Sequence, residues 1–102
     1  MNEMQVFQNH EFGSIRTIYK ADSIWFVGKD VALALGYVET AQAIRKHIDE
    51  EDKGVVDMNT PGGIQQMTII NESGLYSLVL SSKLESAKKF KRWVTAEVLP
   101  SI

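Results

Sequence analysis

The stretch Trp25–Tyr37, with the sequence WFVGKDVALALGY, contains the point at which a strand pattern changes to a helix pattern. Apolar residues are adjacent in its first part, whereas Val31 and Leu35 recur at helical spacing with small alanines around them. Asp30 is favourable near the start of such a helix because its charge complements the helix dipole, and Gly36 suits the helix end. The stretch therefore predicts a strand followed by a helix of about two turns.

Strand patterns lie on both sides of this stretch. Alternating or β-branched runs separated by polar turn residues predict strands at 4–8, 12–19 and 24–27, which together form an antiparallel meander. A second hairpin is predicted from 54–58 and 64–70, because the intervening residues Asn59–Gly63 supply turn conformations.

A short helix is predicted between the two strand regions. Thr40 is expected to cap it, and Ala41, Ile44 and Ile48 are expected to share its buried face. Together with the helix after Trp25 it resembles part of a helix-turn-helix, but buried residues arrive later than in the common pattern.

Helices are also predicted in the last third of the chain. Asn71 is expected to cap one helix, and Ser82–Glu85 reads as a capping box for a longer one that stops before Pro100. The buried stripe of that longer helix is predicted to consist of Ala87, Phe90, Val94 and Val98. These elements predict an α+β fold, with a small antiparallel sheet or hairpins packed against several short helices and a longer C-terminal helix.

Length and composition favour one globular domain. The chain has 102 residues, of which 44% are hydrophobic and 24% charged, so a single domain over residues 1–102 is expected. It has no cysteine, no apolar run long enough to cross a membrane and no export signal at its start. These features favour the cytoplasm and no membrane partner.

The inventory of chemically reactive residues is poor. His10 and His47 are the two histidines, and both fit a turn or a helix end without further function. The acidic run 49–52 lacks the interleaved oxygen ligands and central glycine of a calcium loop. We therefore expect no catalytic residues, no metal site, no cofactor and no enzymatic activity.

Positive charge is concentrated in two places, although the net charge is −2. The last predicted helix carries Lys88, Lys89, Lys91 and Arg92 near a single acid, Glu85. Such a group can bind the phosphate oxygens of DNA. Contacts to phosphates position a protein on the duplex but do not specify a base sequence. The helix after Thr40 presents Gln42, Arg45 and Lys46 away from its predicted core face, where glutamine and arginine could contact base edges or simply be solvated.

Motifs in order along nearly the whole chain resemble the Bro-N family, the N-terminal domain of baculovirus BRO proteins and of phage or prophage antirepressors. They are WFVGKDVALALGY at 25–37, INESGLY at 70–76, AKKFKRWV at 87–94 and VLPSI at 98–102. The resemblance implies a non-enzymatic α+β module, regarded as DNA-binding, that usually precedes a variable C-terminal domain. We therefore expect such a C-terminal domain to be absent from this chain.

The leading hypothesis is a DNA-binding regulatory domain of a phage or prophage antirepressor-type protein in a bacterial host cell, with double-stranded DNA as partner. The alternative is a protein-interaction module that binds a repressor protein or forms a homo-oligomer. Exposure of residues among Trp25, Tyr37, Leu75 and Tyr76 would favour the alternative, because interaction surfaces need exposed apolar patches.

Overall fold

The strands form one five-stranded antiparallel sheet in the computed structural model, which describes residues 3–102. They are β1 (Glu3–Asn9), β2 (Gly13–Lys20), β3 (Ser23–Val27), β4 (Lys53–Thr60) and β5 (Gly63–Ile70), in the order β1-β2-β3-β5-β4. β3 joins the two predicted strand regions, because Phe26 pairs with Ile70 and Val27 with Ile69. The predicted α+β class is therefore confirmed.

Local hydrogen bonds and left-handed residues fix the first two turns. Oδ1 of Asn9 accepts hydrogen bonds from the backbone N–H groups of Glu11 (2.7 Å) and Phe12 (3.2 Å). The next turn has positive φ angles at Ala21 (52°) and Asp22 (61°), as a type I′ hairpin turn requires. Both connections are short, so sequential strands become antiparallel neighbours.

Two helices follow β3 in the chain and two follow β5. They are α1 (Gly28–Ala34), α2 (Thr40–His47), α3 (Glu72–Ser81) and α4 (Ala87–Trp93), with a short 3₁₀ turn at Glu50–Asp52. After α4 the chain continues helically through a π-helical segment, Val94–Val98, and a 3₁₀ turn, Leu99–Ser101. α1 and α3 pack against the sheet, while α3 also contacts α2 and α4.

The sheet buries apolar side chains on both faces. Ile15, Phe26 and Ile70 belong to the main core that the helices cover. Because side chains alternate along a strand, Val27 and Ile69 belong to a smaller cluster instead. That second cluster also contains Ile18, Trp25, Val56, Met58 and Met67.

Two details of α2 differ from the prediction. The residue that precedes the helix is Glu39, and Thr40 is already the first helical residue. No side-chain hydrogen bond caps the start of this helix. Ala41 is exposed, whereas Ala43 is buried together with Ile44. The packing of α2 against both α1 and α3 sets which arc is buried, and a single-helix pattern does not contain that information.

The predicted start and end of the last helix were wrong. The hydroxyl of Ser82 donates to the carbonyl of Leu35 (2.9 Å) and accepts from the N–H of Leu84 (3.2 Å), so it caps no helix. α4 instead begins at Ala87. Pro100 lies within the terminal 3₁₀ segment, which is closed by the N–H of Ile102 donating to the carbonyl of Leu99 at 3.2 Å, so the helical run does not stop before the proline.

The end of α1 depends on a glycine. Gly36 has a φ of +83°, and the N–H groups of Tyr37 and Gly36 donate to the carbonyls of Ala32 and Leu33, both at 3.0 Å. We expect Gly36→Ala to lower the free energy of unfolding by about 2 kcal/mol, because a non-glycine residue is strained there and its Cβ would overlap Leu84. Urea denaturation measures the change.

Gly13 supplies a matched control for this prediction. It also has a positive φ, +80°, but a Cβ added to it meets no atom within 4 Å. Gly13→Ala should therefore cost only the backbone strain, about 1 kcal/mol. Equal losses for the two variants would show that contact with Leu84 does not contribute.

Candidate nucleic-acid interface

α4 is anchored by a buried apolar stripe. Ala87, Phe90, Val94 and Val98 are all buried, as predicted. The ring of Phe12 packs edge-on against Phe90, with centroids 5.3 Å apart, and stacks on Trp93 at 6.0 Å. These contacts fix the rotation of α4 about its axis, so its remaining side chains face solvent.

The basic residues of α4 lie together on the exposed side. Lys88, Lys89, Lys91 and Arg92 are all exposed and, with Thr95, line one open hollow of about 570 Å³. Residues 88, 91, 92 and 95 are one or two helical turns apart and therefore share a face. Four cations are thus gathered on one surface, which we call the α4 basic surface.

Neighbouring acids do not neutralise this surface. Among residues 4–102, the ion pairs join Arg16 to Asp30 and Lys53 to Glu50, so no described carboxylate lies within 4.0 Å of the four α4 cations. Lys91 instead has its Nζ 5.8 Å from the centroid of the Tyr76 ring, a cation–π arrangement. Burial raises the pKa of the Tyr76 phenol, so the ring stays neutral.

The three α2 residues singled out in the sequence are also exposed. At about 100° per residue, Gln42, Arg45 and Lys46 fall within one arc on the side away from the core. Gln42 and Lys46 border a hollow beside Val38, whereas Arg45 borders a different groove next to the β4–β5 hairpin.

The α2 residues and the α4 cations line different hollows. α3 contacts both helices. Tyr37 helps to hold α2, because its hydroxyl donates to the carbonyl of Leu78 at 2.8 Å and its ring lies 5.8 Å from that of His47. Burial raises the pKa of the Tyr37 phenol, which keeps it a donor. The structure therefore brings the four α4 cations together but leaves the α2 trio apart from them.

Thr95 is a lining residue that the sequence reasoning missed. Its position seven residues after Lys88 was the available signal, since that spacing returns to the same helix face. Its hydroxyl donates to the backbone carbonyls of Lys91 (3.0 Å) and Arg92 (3.2 Å).

Comparison with known proteins identifies the family. A family model described as the BRO family, N-terminal domain, matches residues 14–100. The chain belongs to the Bro-N family. No solved structure matches it.

Relatives of this Bro-N chain come from viruses and from a bacterium. It is 35% identical to the putative Bro-N domain-containing protein 289L of Invertebrate iridescent virus 6, over 93% of the chain and 26% of that protein. It is 41% identical to an uncharacterized protein of Haemophilus influenzae, over 76% of the chain and 39% of that protein. The Bro-N chain thus spans about a quarter to two fifths of the length of these relatives.

Within residues 3–102 of the Bro-N chain, no helix is long and apolar enough to cross a membrane. Within the same residues, no three or more His, Asp or Glu side chains lie in an arrangement that could hold a metal ion.

Proposed function

We propose that this Bro-N domain is a non-enzymatic DNA-binding regulatory domain of a phage or prophage antirepressor-type protein, acting on viral or prophage gene expression in the bacterial cytoplasm. The observation that carries the proposal is the α4 basic surface, with four exposed cations and no described carboxylate within 4.0 Å. The relative in Haemophilus influenzae supports a bacterial setting.

The physical argument rests on where the charge lies. A domain with a net charge of −2 gains little from bulk attraction to DNA, so binding requires a local positive surface. Each α4 cation that reaches a phosphate releases a condensed counterion, which favours binding at low salt. Contacts of this kind hold the domain on a duplex and leave the sequence unread.

Base reading is assigned to α2 in this proposal. Gln42 can donate to and accept from base edges in the major groove, Arg45 can donate to them, and Lys46 adds a cation beside them. Their shared exposed arc supports the assignment. Replacing them should weaken binding to a preferred sequence more than binding to random duplex.

The four side chains whose exposure would indicate a protein-interaction surface give that alternative little support. Leu75 is fully buried, and Trp25, Tyr37 and Tyr76 are each partly buried. None of these four residues is exposed. Repressor capture or self-association would therefore have to use a different surface.

A pair of charge-matched double variants tests the proposal. We expect Lys88→Ala with Arg92→Ala to weaken binding to a random-sequence duplex at least about tenfold and to reduce the salt dependence by about two phosphate contacts. Lys20→Ala with Lys29→Ala removes the same charge away from α4 and should change affinity little. Fluorescence anisotropy with labelled duplex measures both. Equal effects of the two double variants would show that only net charge matters and that α4 is not the contact surface.

A further inference from the structure

A second groove lies between α2 and the β4–β5 hairpin. It has a volume of about 520 Å³. Its apolar floor is formed by the side chains of Ile44 and Val55, next to Gln66 and Thr68 of β5. Val55 is 53% exposed whereas Ile44 is 6% exposed, so the solvent-facing apolar area of the floor is that of Val55. Ile64 lies on the same face of the hairpin and is 73% exposed, but the polar pair Asp57 and Gln66 separates it from Val55.

The rim of the groove is positive. Lys29, Arg45 and Lys53 line it together with one acid, Glu50. Nζ of Lys53 lies 2.9 Å from a carboxylate oxygen of Glu50, so this pair is internally compensated. Lys29 and Arg45 are exposed, and no carboxylate among residues 4–102 lies within 4.0 Å of either. Two charges on the rim are therefore free to meet an anionic partner.

The floor and the rim together favour a particular ligand. No aromatic side chain lines the groove, so a nucleic-acid base would find no ring on which to stack. Aliphatic side chains beside free cations fit a peptide that alternates apolar and acidic residues, with its apolar side chains on Val55 and its carboxylates on Lys29 and Arg45.

We propose that the groove between α2 and the β4–β5 hairpin binds an acidic peptide segment of a partner protein through the exposed apolar floor around Val55 and the cations Lys29 and Arg45. The proposal is independent of DNA binding by the α4 basic surface. It shares Arg45 with the base-reading residues proposed on α2, because Arg45 also lines this groove.

Selection from a random dodecapeptide library displayed on phage, against the full chain, tests the proposal. Enriched peptides should contain at least two acidic residues and an apolar one. A synthetic enriched peptide should bind at least tenfold more weakly to Lys29→Glu and to Arg45→Glu. It should also bind several-fold more weakly to Val55→Gln, a substitution of an exposed side chain that leaves the net charge unchanged. Circular dichroism checks that each variant is folded.

The α4 variant separates this site from the proposed DNA surface. Lys88→Ala with Arg92→Ala should leave peptide affinity within twofold, whatever it does to DNA. The proposal is overturned if the selection yields no enrichment or enriches peptides without acidic residues. It is equally overturned if peptide binding survives the Lys29 and Arg45 reversals.

Discussion

Replacing Phe90 with alanine is expected to lower the free energy of unfolding by about 3–5 kcal/mol, the range for deletion of a buried phenylalanine. The ring is fully buried and contacts both Phe12 and Trp93. Its loss leaves a cavity where α4 meets the turn between β1 and β2, and removes an edge-to-face aromatic pair. Since small domains are stable by about 5–15 kcal/mol, the variant should be near the limit of folding.

Urea denaturation followed by circular dichroism measures this loss. Phe90→Leu keeps most of the volume and should cost clearly less. Lys89→Ala, one residue earlier and exposed, should stay within about 0.5 kcal/mol of the wild type. A loss below about 1 kcal/mol for Phe90→Ala would mean that α4 is not anchored through this ring.

Replacing Asp30 with alanine should cost about 3 kcal/mol, because it removes one partner of a largely buried ion pair. The Asp30 carboxylate accepts from Nε and Nη2 of Arg16, both at 2.8 Å, and from the Arg16 backbone N–H at 3.0 Å. Its side chain is only 10% exposed. The hydrogen bond to Asp30 raises the pKa of the Arg16 guanidinium. Arginine is protonated in proteins even without such a partner, so removal of Asp30 leaves its charge uncompensated.

Thermal or urea unfolding of three variants checks the role of Asp30. Asp30→Asn keeps an acceptor oxygen but loses the charge, so its stability should lie between those of the wild type and Asp30→Ala. Asp57→Ala removes an exposed carboxylate and should have little effect. If Asp57→Ala destabilised the domain as much as Asp30→Ala, the bond to Arg16 would not explain the loss.

The parts of the fold that were predicted depend on local signals. Asn71 caps α3 as expected, with its Oδ1 accepting from the N–H of Gly74 at 2.9 Å. Gly36 ends α1, and the second hairpin turns at residues 61–62. In each case a residue and its close neighbours determine the backbone conformation, so the sequence pattern contains the information.

The sequence patterns did not predict contacts between residues that are far apart in the chain. Ser82 has the sequence of a cap, yet its hydroxyl bonds to Leu35, which is 47 residues away. Arg16 and Asp30 are 14 residues apart, and only the pairing of β2 with β3 brings them together. No local pattern distinguishes these outcomes, because the partner comes from another element.

The candidate site shows the same division. The clustering of Lys88, Lys89, Lys91 and Arg92 follows from helix periodicity alone and could be predicted. The positive rim formed by Lys29, Arg45 and Lys53 could not, since it joins residues from α1, α2 and β4. The DNA-binding assignment of the α4 and α2 residues stays a prediction.

The salt dependence of binding to a random-sequence duplex tests the central claim most directly. If the four α4 cations contact phosphates, the logarithm of the association constant should fall with the logarithm of salt concentration with a slope of about −3 to −4. A slope near zero, or no measurable binding even at low salt, would contradict the claim that the α4 basic surface holds a polyanion.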